Sequence, residues 1–408
     1  MSSAVLSPRR LCAAAAGTPF LDGYATGSAA FLIMMIPGMT AWETGAFTGI
    51  YLLVFSVGAV VFGWLADHFG RRRIFSGSML ALGAGTIASL LLFGASADVD
   101  ATVGAAQLSA LLGLRALMGL LLGGDYPVGQ ALITELIAEE ERAQHLSLLM
   151  FGWYAGALFA VLLSRPIFAL DLSWTTFLWV QAALALLFWA ARRGVPESAA
   201  WSAARRRADA APGGRRGAFS EPGSLRAFLF CTVFWLAQTI PATVLMFYST
   251  KILSGFLDTK NAFIQVLLLY GCFLLGVLPA AHPALARCPK AVLIGTFLAM
   301  AASLAAVTLG RDMHSTLMTG AAFILFALAY GLQTPLDFVF PNMLFPARTR
   351  ARLVGLTTTV SRVGSMGAAF AFPVLAEEFP VAALFWSGCA VLLFGALFSW
   401  RFAPADRG

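Results

Sequence analysis

Residues 115–135 read RALMGLLLGGDYPVGQALITE. This stretch decides the fold, because it carries an arginine and an aspartate through a run too apolar to lie in water. A helix that spans a bilayer needs about 20 predominantly apolar residues, and placing Arg115 or Asp125 near the bilayer centre costs about 3 kcal/mol each on insertion scales. Such side chains face a partner or a water-filled cavity, so both are candidate functional groups. The competing reading is a structural polar pair that locks two helices together. Gly119, Gly123 and Gly124 leave one face of the helix thin, which lets a neighbouring helix or a ligand approach the backbone. Pro127 loosens the helix beside Asp125.

The rest of the chain agrees with a membrane setting. It is 59% hydrophobic and 12% charged, with a mean hydropathy of +0.81, whereas soluble domains carry about 25% charged residues. Apolar runs between charge clusters predict twelve helices, over 12–37, 44–66, 74–96, 105–134, 145–165, 172–191, 226–250, 262–284, 291–310, 315–340, 353–376 and 380–402. The runs lack strict alternation, so they are helices and not barrel strands. Of the 27 lysines and arginines, all but six fall on one side of this pattern; Arg165, Lys251, Lys260 and Arg311 lie opposite, and Arg115 and Arg362 lie within spans. By the positive-inside rule both termini are cytoplasmic. The net charge of +7 is then a topology signal, and no nucleic-acid partner is needed to explain it. The five cysteines show no CxxC spacing and the four histidines are far apart, so neither a disulfide framework nor a metal site is expected. The start, Arg9-Arg10 followed by LCAAAAG, lacks the apolar core that precedes a cleavage site, so the first span is expected to stay in the mature protein.

The first span contains FLDGYATG, which puts Asp22 near mid-membrane as the natural partner for Arg115. A pair of this kind either exchanges a proton as its access to water changes or stands as a permanently ionised bridge. The loop after the second span reads GWLADHFGRRRIF, in which Gly70 makes a tight turn and Asp67 can accept bonds from arginines or a helix N-terminus. Gly63, Asp67, Gly70, Arg71, Arg72 and Arg73 match a G-x-x-x-D-x-x-G-R-R-R pattern, and the loop resembles the signature between helices 2 and 3 of the major facilitator superfamily. That resemblance implies that Asp67 and the arginines clamp the two halves together when the cytoplasmic side is closed.

The fourth span, with its R-x-x-x-G-x-x-x-G-G-D-Y-P pattern, resembles the phosphate and metabolite proton symporters, a branch close to the sugar porters. The resemblance implies that Asp125 is a proton or substrate group, set with Asp22 and Arg115 as a proton-coupling candidate, and that Tyr126 contacts substrate. Glu135 falls near the loop arginines, and with Arg142 is expected to be part of the gate. In the fifth span Trp153 and Tyr154 of FGWYAG either line a cavity or pack in lipid. GVPESAAW is similar to the sugar-porter PESPRW box, keeping Pro196, Glu197, Ser198 and Trp201 but not the second proline or the arginine. Glu197 is accordingly read as a gate residue. Residues 203–223, rich in Arg, Ala, Gly and Pro, read as a linker. The seventh span resembles bacterial metabolite transporters at Trp235, Gln238 and Pro241; Thr239 stands where phosphate transporters have an acid, which argues against phosphate as cargo.

An internal repeat appears at an offset of 208 residues: Asp125-Tyr126-Pro127 falls on Gln333-Thr334-Pro335, Glu135 on Met343 and Arg142 on Arg350. The second copy has lost its charges, with no acid between Gly276 and Lys290 and Met343 in place of the glutamate that the family's E-x-F-P box carries. In MLFPARTR, Arg348 and Arg350 remain as gate candidates. In the tenth span Gln333 and Asp337 are one turn apart and expected on one side. In the eleventh, TTTVSRVGSMG resembles the metabolite transporters' SRIG box, and Arg362 offers a planar fork suited to a carboxylate or phosphate; alternatively it pairs with Asp337.

The sequence is thus identified as an all-α polytopic membrane protein with twelve helices in two six-helix bundles, 1–191 and 226–408, joined by a cytoplasmic linker, 192–225. The expected function is proton symport of a small organic anion by alternating access, with substrate contacts at Tyr126, Trp153, Tyr154, Trp235, Gln238, Gln333, Asp337 and Arg362. A facilitator of a neutral solute or a proton-driven efflux carrier is the alternative; a sensor or membrane enzyme is a rival of another class, against which no appended signalling domain and no catalytic constellation is read. The expected partners are substrate, protons and lipid, with no cofactor, in a monomer at the cytoplasmic (inner) membrane.

Overall fold

The computed structural model describes residues 8–36, 39–93, 105–210, 217, 219–253, 262–282, 285 and 287–406. Lys260 and linker residues 211–216 and 218 lie outside them. Among the described residues the chain is helical with no strand: α1 Pro8–Met35, α2 Ala41–Phe69, α3 Arg71–Phe93, α4 Ala105–Leu136, α5 Glu139–Ala169, α6 Thr175–Ala191, α7 Ala199–Ala210, α8 Ser224–Leu253, α9 Ala262–Val277 with a 3-10 turn Leu278–Ala281, α10 Pro289–Asp312, α11 Thr316–Gln333, α12 Leu336–Leu344, α13 Arg350–Glu378 and α14 Val381–Phe402. Each of the twelve expected spans falls on one of these helices or, for the tenth, on two.

Nine segments among the described residues are long and apolar enough to cross a membrane. The other three expected spans lie on α1, α6 and α13. α6 has only 17 residues, while α1 is diluted by Thr18, Asp22 and glycines, and α13 by Arg350, Arg352 and Arg362. The expected tenth helix is broken: α11 ends at Gln333 and α12 starts at Leu336; Thr334 keeps helical backbone angles, and the break comes from Pro335, which has no N–H to carry the helical bonding forward. Within the linker, Ala199–Ala210 is a helix; its run of Ala and Arg carries no glycine or proline, and both favour helix.

Two compact units emerge. One comprises Met1–Arg142, Gly152–Ser224 and Asn342–Thr359; the other comprises Ala143–Phe151, Leu225–Pro341 and Val360–Gly408. Chain halves and units therefore differ at two places, Ala143–Phe151 within α5 and Asn342–Thr359, which runs from the end of α12 into α13.

Glycines set the helix crossings in both units. In the first, a Cβ on Gly58 would lie 2.2 Å from the Leu120 carbonyl oxygen and one on Gly123 2.2 Å from that of Phe55, so α2 and α4 meet backbone to backbone. In the second, Gly276 stands 2.3 Å from the Leu328 oxygen and Gly331 2.3 Å from that of Phe273 by the same measure, joining α9 to α11. Leu120 and Leu328, like Gly123 and Gly331, are 208 residues apart, and Gly58 and Gly276, like Phe55 and Phe273, are 218 apart. One seam has been copied.

A further crossing joins α1 to α5, where a Cβ on Gly156 would stand 1.9 Å from the Phe20 oxygen. Gly156→Ala should therefore destabilise the protein by about 1–3 kcal/mol through overpacking, read as a lowered thermal midpoint in detergent. Gly113→Ala, with nothing within 4 Å of the added carbon, should leave the midpoint unchanged or raise it.

Candidate functional site

Asp22 and Asp125 are fully buried acids of the first unit. Asp22 on α1 accepts hydrogen bonds from three helices: Tyr51 on α2 to Oδ1, and on Oδ2 Tyr126 of α4 at 2.9 Å and the Trp153 indole of α5 at 2.7 Å. Arg115 lies with its guanidinium 4.2 Å from the Phe47 ring and 5.1 Å from the Tyr51 ring, and donates to the Ala25 carbonyl at 3.2 Å. The charge of Asp22 acts on it, and Tyr51, bonded to one and stacked on the other, joins the two. Asp22 and Arg115, which the sequence reading pairs directly, lie on either side of the Tyr51 side chain, which that reading did not supply. Trp153 and Tyr154 are both buried, their rings 5.1 Å apart, so neither faces lipid.

Asp125 has a different partner. Arg192, which closes α6, donates from its two terminal nitrogens to the two carboxylate oxygens at 3.0 and 2.8 Å. Ser78 on α3 and Thr18 on α1 also donate to Asp125. Arg192 is itself fully buried, and its guanidinium lies 3.7 Å from the Phe75 ring. Sequence reasoning missed it, because Arg192-Arg193 follows an apolar run and reads as another pair of loop cations.

The end of the first unit around Gly70 carries the charged gate residues. Gly70 has φ 104° and a Cβ there would meet Glu197 Oε2 at 2.4 Å, so the turn and the close approach both demand glycine. Glu197 accepts from the backbone N–H groups of Arg71 and Arg72 at 3.0 and 3.3 Å, placing an anion on the start of α3. Arg71 is buried between Asp67 at 2.9 Å and Glu135 at 3.3 Å, and donates to the Ala347 carbonyl at 2.8 Å. Glu135 also holds Arg350 at 3.1 Å, and Asp67 accepts from the Arg352 N–H at 3.0 Å. Gly63 faces the Ala351 oxygen, at 2.6 Å from its notional Cβ. Arg72 and Arg73 are exposed, and Arg142 and Arg348 are half-buried. The repeat is visible here too: Arg142 Nε donates to the Ile137 carbonyl at 3.1 Å and Arg350 Nε to that of Phe345 at 3.2 Å, the same bond 208 residues apart. Met343, where Glu135 has its counterpart, is 37% exposed.

In the second unit Gln238 on α8 donates to Asp337 on α12, and both are buried. The charge of Arg362 on α13 acts on Asp337 and on Tyr330, and Trp235 is 8% exposed. Gln333 ends α11 and Asp337 stands in the first turn of α12, on either side of Thr334-Pro335, where Thr334 keeps helical backbone angles. Gln333 is fully buried, and among the described residues neither its Oε1 nor its Nε2 has a hydrogen-bond partner. A buried, unsatisfied amide costs about 1–3 kcal/mol, which a ligand or water would offset. No group of three or more His, Cys, Asp or Glu able to hold a metal occurs among the described residues.

Because Glu135 is held by two arginines and has no water to turn to, Glu135→Ala should lower unfolding stability by about 3–5 kcal/mol, measured by thermal or denaturant unfolding in detergent. Met343→Ala at the repeat-equivalent position should change it little.

Comparison with known proteins fits this architecture. YaaU of Escherichia coli (strain K12) is 29% identical over 429 residues, covering 98% of this chain and 93% of that protein. The inner membrane metabolite transport protein YgcS of the same strain is 27% identical over 434 residues, covering 98% and 92%. Among solved structures, the proton:xylose symporter XylE from E. coli bound to 6-bromo-6-deoxy-D-glucose superposes with a TM-score of 0.80 at 17% identity, covering 98% of this chain and 96% of that one. The family model described as Major Facilitator Superfamily matches residues 13–369. The chain belongs to that superfamily: it is a multi-pass membrane transporter with the twelve-helix, two-bundle fold, and not an enzyme.

Proposed function

We propose that this transporter moves a small organic anion together with protons by alternating access, with Asp22 beside Arg115 as the proton-carrying group and Arg362 as the cation that receives the substrate. The observation that carries the reading is the buried Asp22 node, where a carboxylate is bonded to Tyr51, Tyr126 and Trp153 from three helices beside a buried arginine. A protonation change there alters three interhelical bonds at once, which is what coupling a proton to a helix rearrangement requires. The relation to YgcS, named for the inner membrane, and the likeness to XylE, named as a proton:xylose symporter, support the location and the coupling. The arginine distribution supports cytoplasmic termini, and a monomer is sufficient for the mechanism.

The gate residues fit the same reading. Asp67, Arg71, Glu135, Arg350 and the Arg352 backbone join the ends of α2, α3 and α4 to the start of α13, an interaction set that must break when this end opens. Substrate contacts are assigned to Tyr126, Trp153, Trp235, Gln238, Gln333 and Arg362, with Tyr154 packing behind Trp153. One observation favours a second reading, the carriage of a neutral solute: Asp337 lies where the Arg362 charge acts on it, and an arginine so balanced attracts anions less.

Uptake into proteoliposomes separates the readings. Labelled mono- and dicarboxylic acids should accumulate when an inward proton gradient is imposed and not when an ionophore removes it, whereas accumulation of neutral polyols alone would favour the second reading. Gradient-driven accumulation should fall to the equilibrium level in Asp22→Asn; uphill uptake by that variant would remove Asp22 from the coupling role. Arg362→Ala should weaken carboxylate binding by about 1.5–3 kcal/mol, the worth of a charge-assisted hydrogen bond, and Arg362→Lys by less, because it keeps the charge and loses the fork. Carboxylate affinity untouched by Arg362→Ala returns Arg362 to a structural role.

A further inference from the structure

The two buried acids of the first unit sit on a shared frame. Thr18 and Asp22 are four residues apart on α1 and so lie on one face, while Asp125 and Tyr126 are neighbours on α4. Thr18 donates to Asp125, and Tyr126 donates to Asp22 at 2.9 Å. The same two helices are therefore cross-linked twice, one turn apart, and two cross-links fix a register where one would allow sliding.

Arg192 holds the first of these cross-links. Its Nη2 donates to the Thr18 hydroxyl at 2.6 Å and to Asp125 Oδ2 at 2.8 Å. Its Nη1 donates to Asp125 Oδ1 at 3.0 Å, to the Phe75 carbonyl at 2.6 Å and to Ser78 at 3.3 Å, and its Nε to the Ala14 carbonyl at 3.2 Å. One side chain from the end of α6 thus bonds α1, α3 and α4. All three nitrogens are engaged in directions set by a planar fork, which a lysine ammonium cannot reproduce. A carboxylate held by a bidentate arginine and two hydroxyls has both oxygens engaged, and the best-attested use of such a buried pair is to fix register.

We propose that Arg192 is a positioning residue: through Asp125 and Thr18 it sets the register of α1 on α4, and by doing so keeps Tyr126 within hydrogen-bond reach of Asp22. Asp125 is then a brace and not a second proton carrier. The consequence for transport rests on the coupling role proposed for Asp22, while the register itself is a property of the resting protein.

The infrared carboxyl band of Asp22 tests it, isolated as the difference between each purified protein and the same protein carrying Asp22→Asn. Tyr126→Phe removes one hydrogen bond and should shift the band. Arg192→Lys should shift it in the same direction although position 192 does not touch Asp22, and Thr18→Val should do so by a smaller amount. Thr18→Val keeps the shape of the side chain and decides the matter if Arg192→Lys does not fold. A band that stays at the wild-type position in Arg192→Lys and Thr18→Val while Tyr126→Phe moves it overturns the proposal, as does a band that Tyr126→Phe leaves in place. The measurement needs no substrate, so its failure leaves the uptake reading standing. Absence of proton-driven uptake by the wild type would remove that reading and leave the register to be judged on the band.

Discussion

Four ionisable side chains, Asp22, Arg115, Asp125 and Arg192, are buried in one helical unit, and the need to satisfy each of them away from water shapes that unit. Isolated charges in a low-dielectric interior are costly, and the protein can keep them only by surrounding each with donors, acceptors or rings. The solution differs between the two acids. Asp125 is given a formal counter-ion with matched fork geometry, whereas Asp22 is given neutral hydroxyl and indole donors with an arginine at one remove. A carboxylate held by neutral donors can lose its charge and keep part of its bonding; one clamped by a guanidinium cannot without stranding the cation. In the proposed reading, the difference separates the group that changes state from the one that holds shape.

Much of this was legible in the sequence, and what was missed had physical reasons. Apolar run length located all twelve spans, since backbone hydrogen bonding in lipid leaves helices as the main option. The Gly63–Arg73 loop pattern located the gate, and Gly70 was required there by the turn. Arg192 was hidden because it sits just past an apolar run, where cations are expected on topological grounds alone. The usable signal was indirect: Arg115 had already been assigned to Asp22, which left Asp125 in need of a cation, and Thr18 and Ser78 placed hydroxyls in the neighbouring spans. The break at Thr334-Pro335 could have been read from the missing N–H of the proline, but apolarity runs through it without interruption. Helix α7 was passed over because overall composition, rich in Arg, Gly and Pro, masked a locally helical run.

The gate shows what a duplicated chain does with charge. In the first half Asp67, Arg71 and Glu135 form a buried cluster; in the second the counterpart of Glu135 is the partly exposed Met343. The surviving arginine of the second half, Arg350, makes the same local bond to a carbonyl as Arg142 does, yet its charge is spent on Glu135 of the first half. The second half has kept the cation and borrowed the acid.

The copied glycine seam behaves in the opposite way, having outlasted the charged motif in both position and partner. An ion pair can be replaced stepwise, since a neutral contact or a carbonyl can take over one side of it. Two backbones in direct contact have no such intermediate: any first change away from glycine puts an atom where a carbonyl already stands. Ancestry in this chain is therefore recorded less in the residues that do chemistry than in those that have no side chain. A search for the duplicated unit in distant sequences would do better to follow the spacing of paired glycines on the second and fourth helices of each half than the acids and arginines.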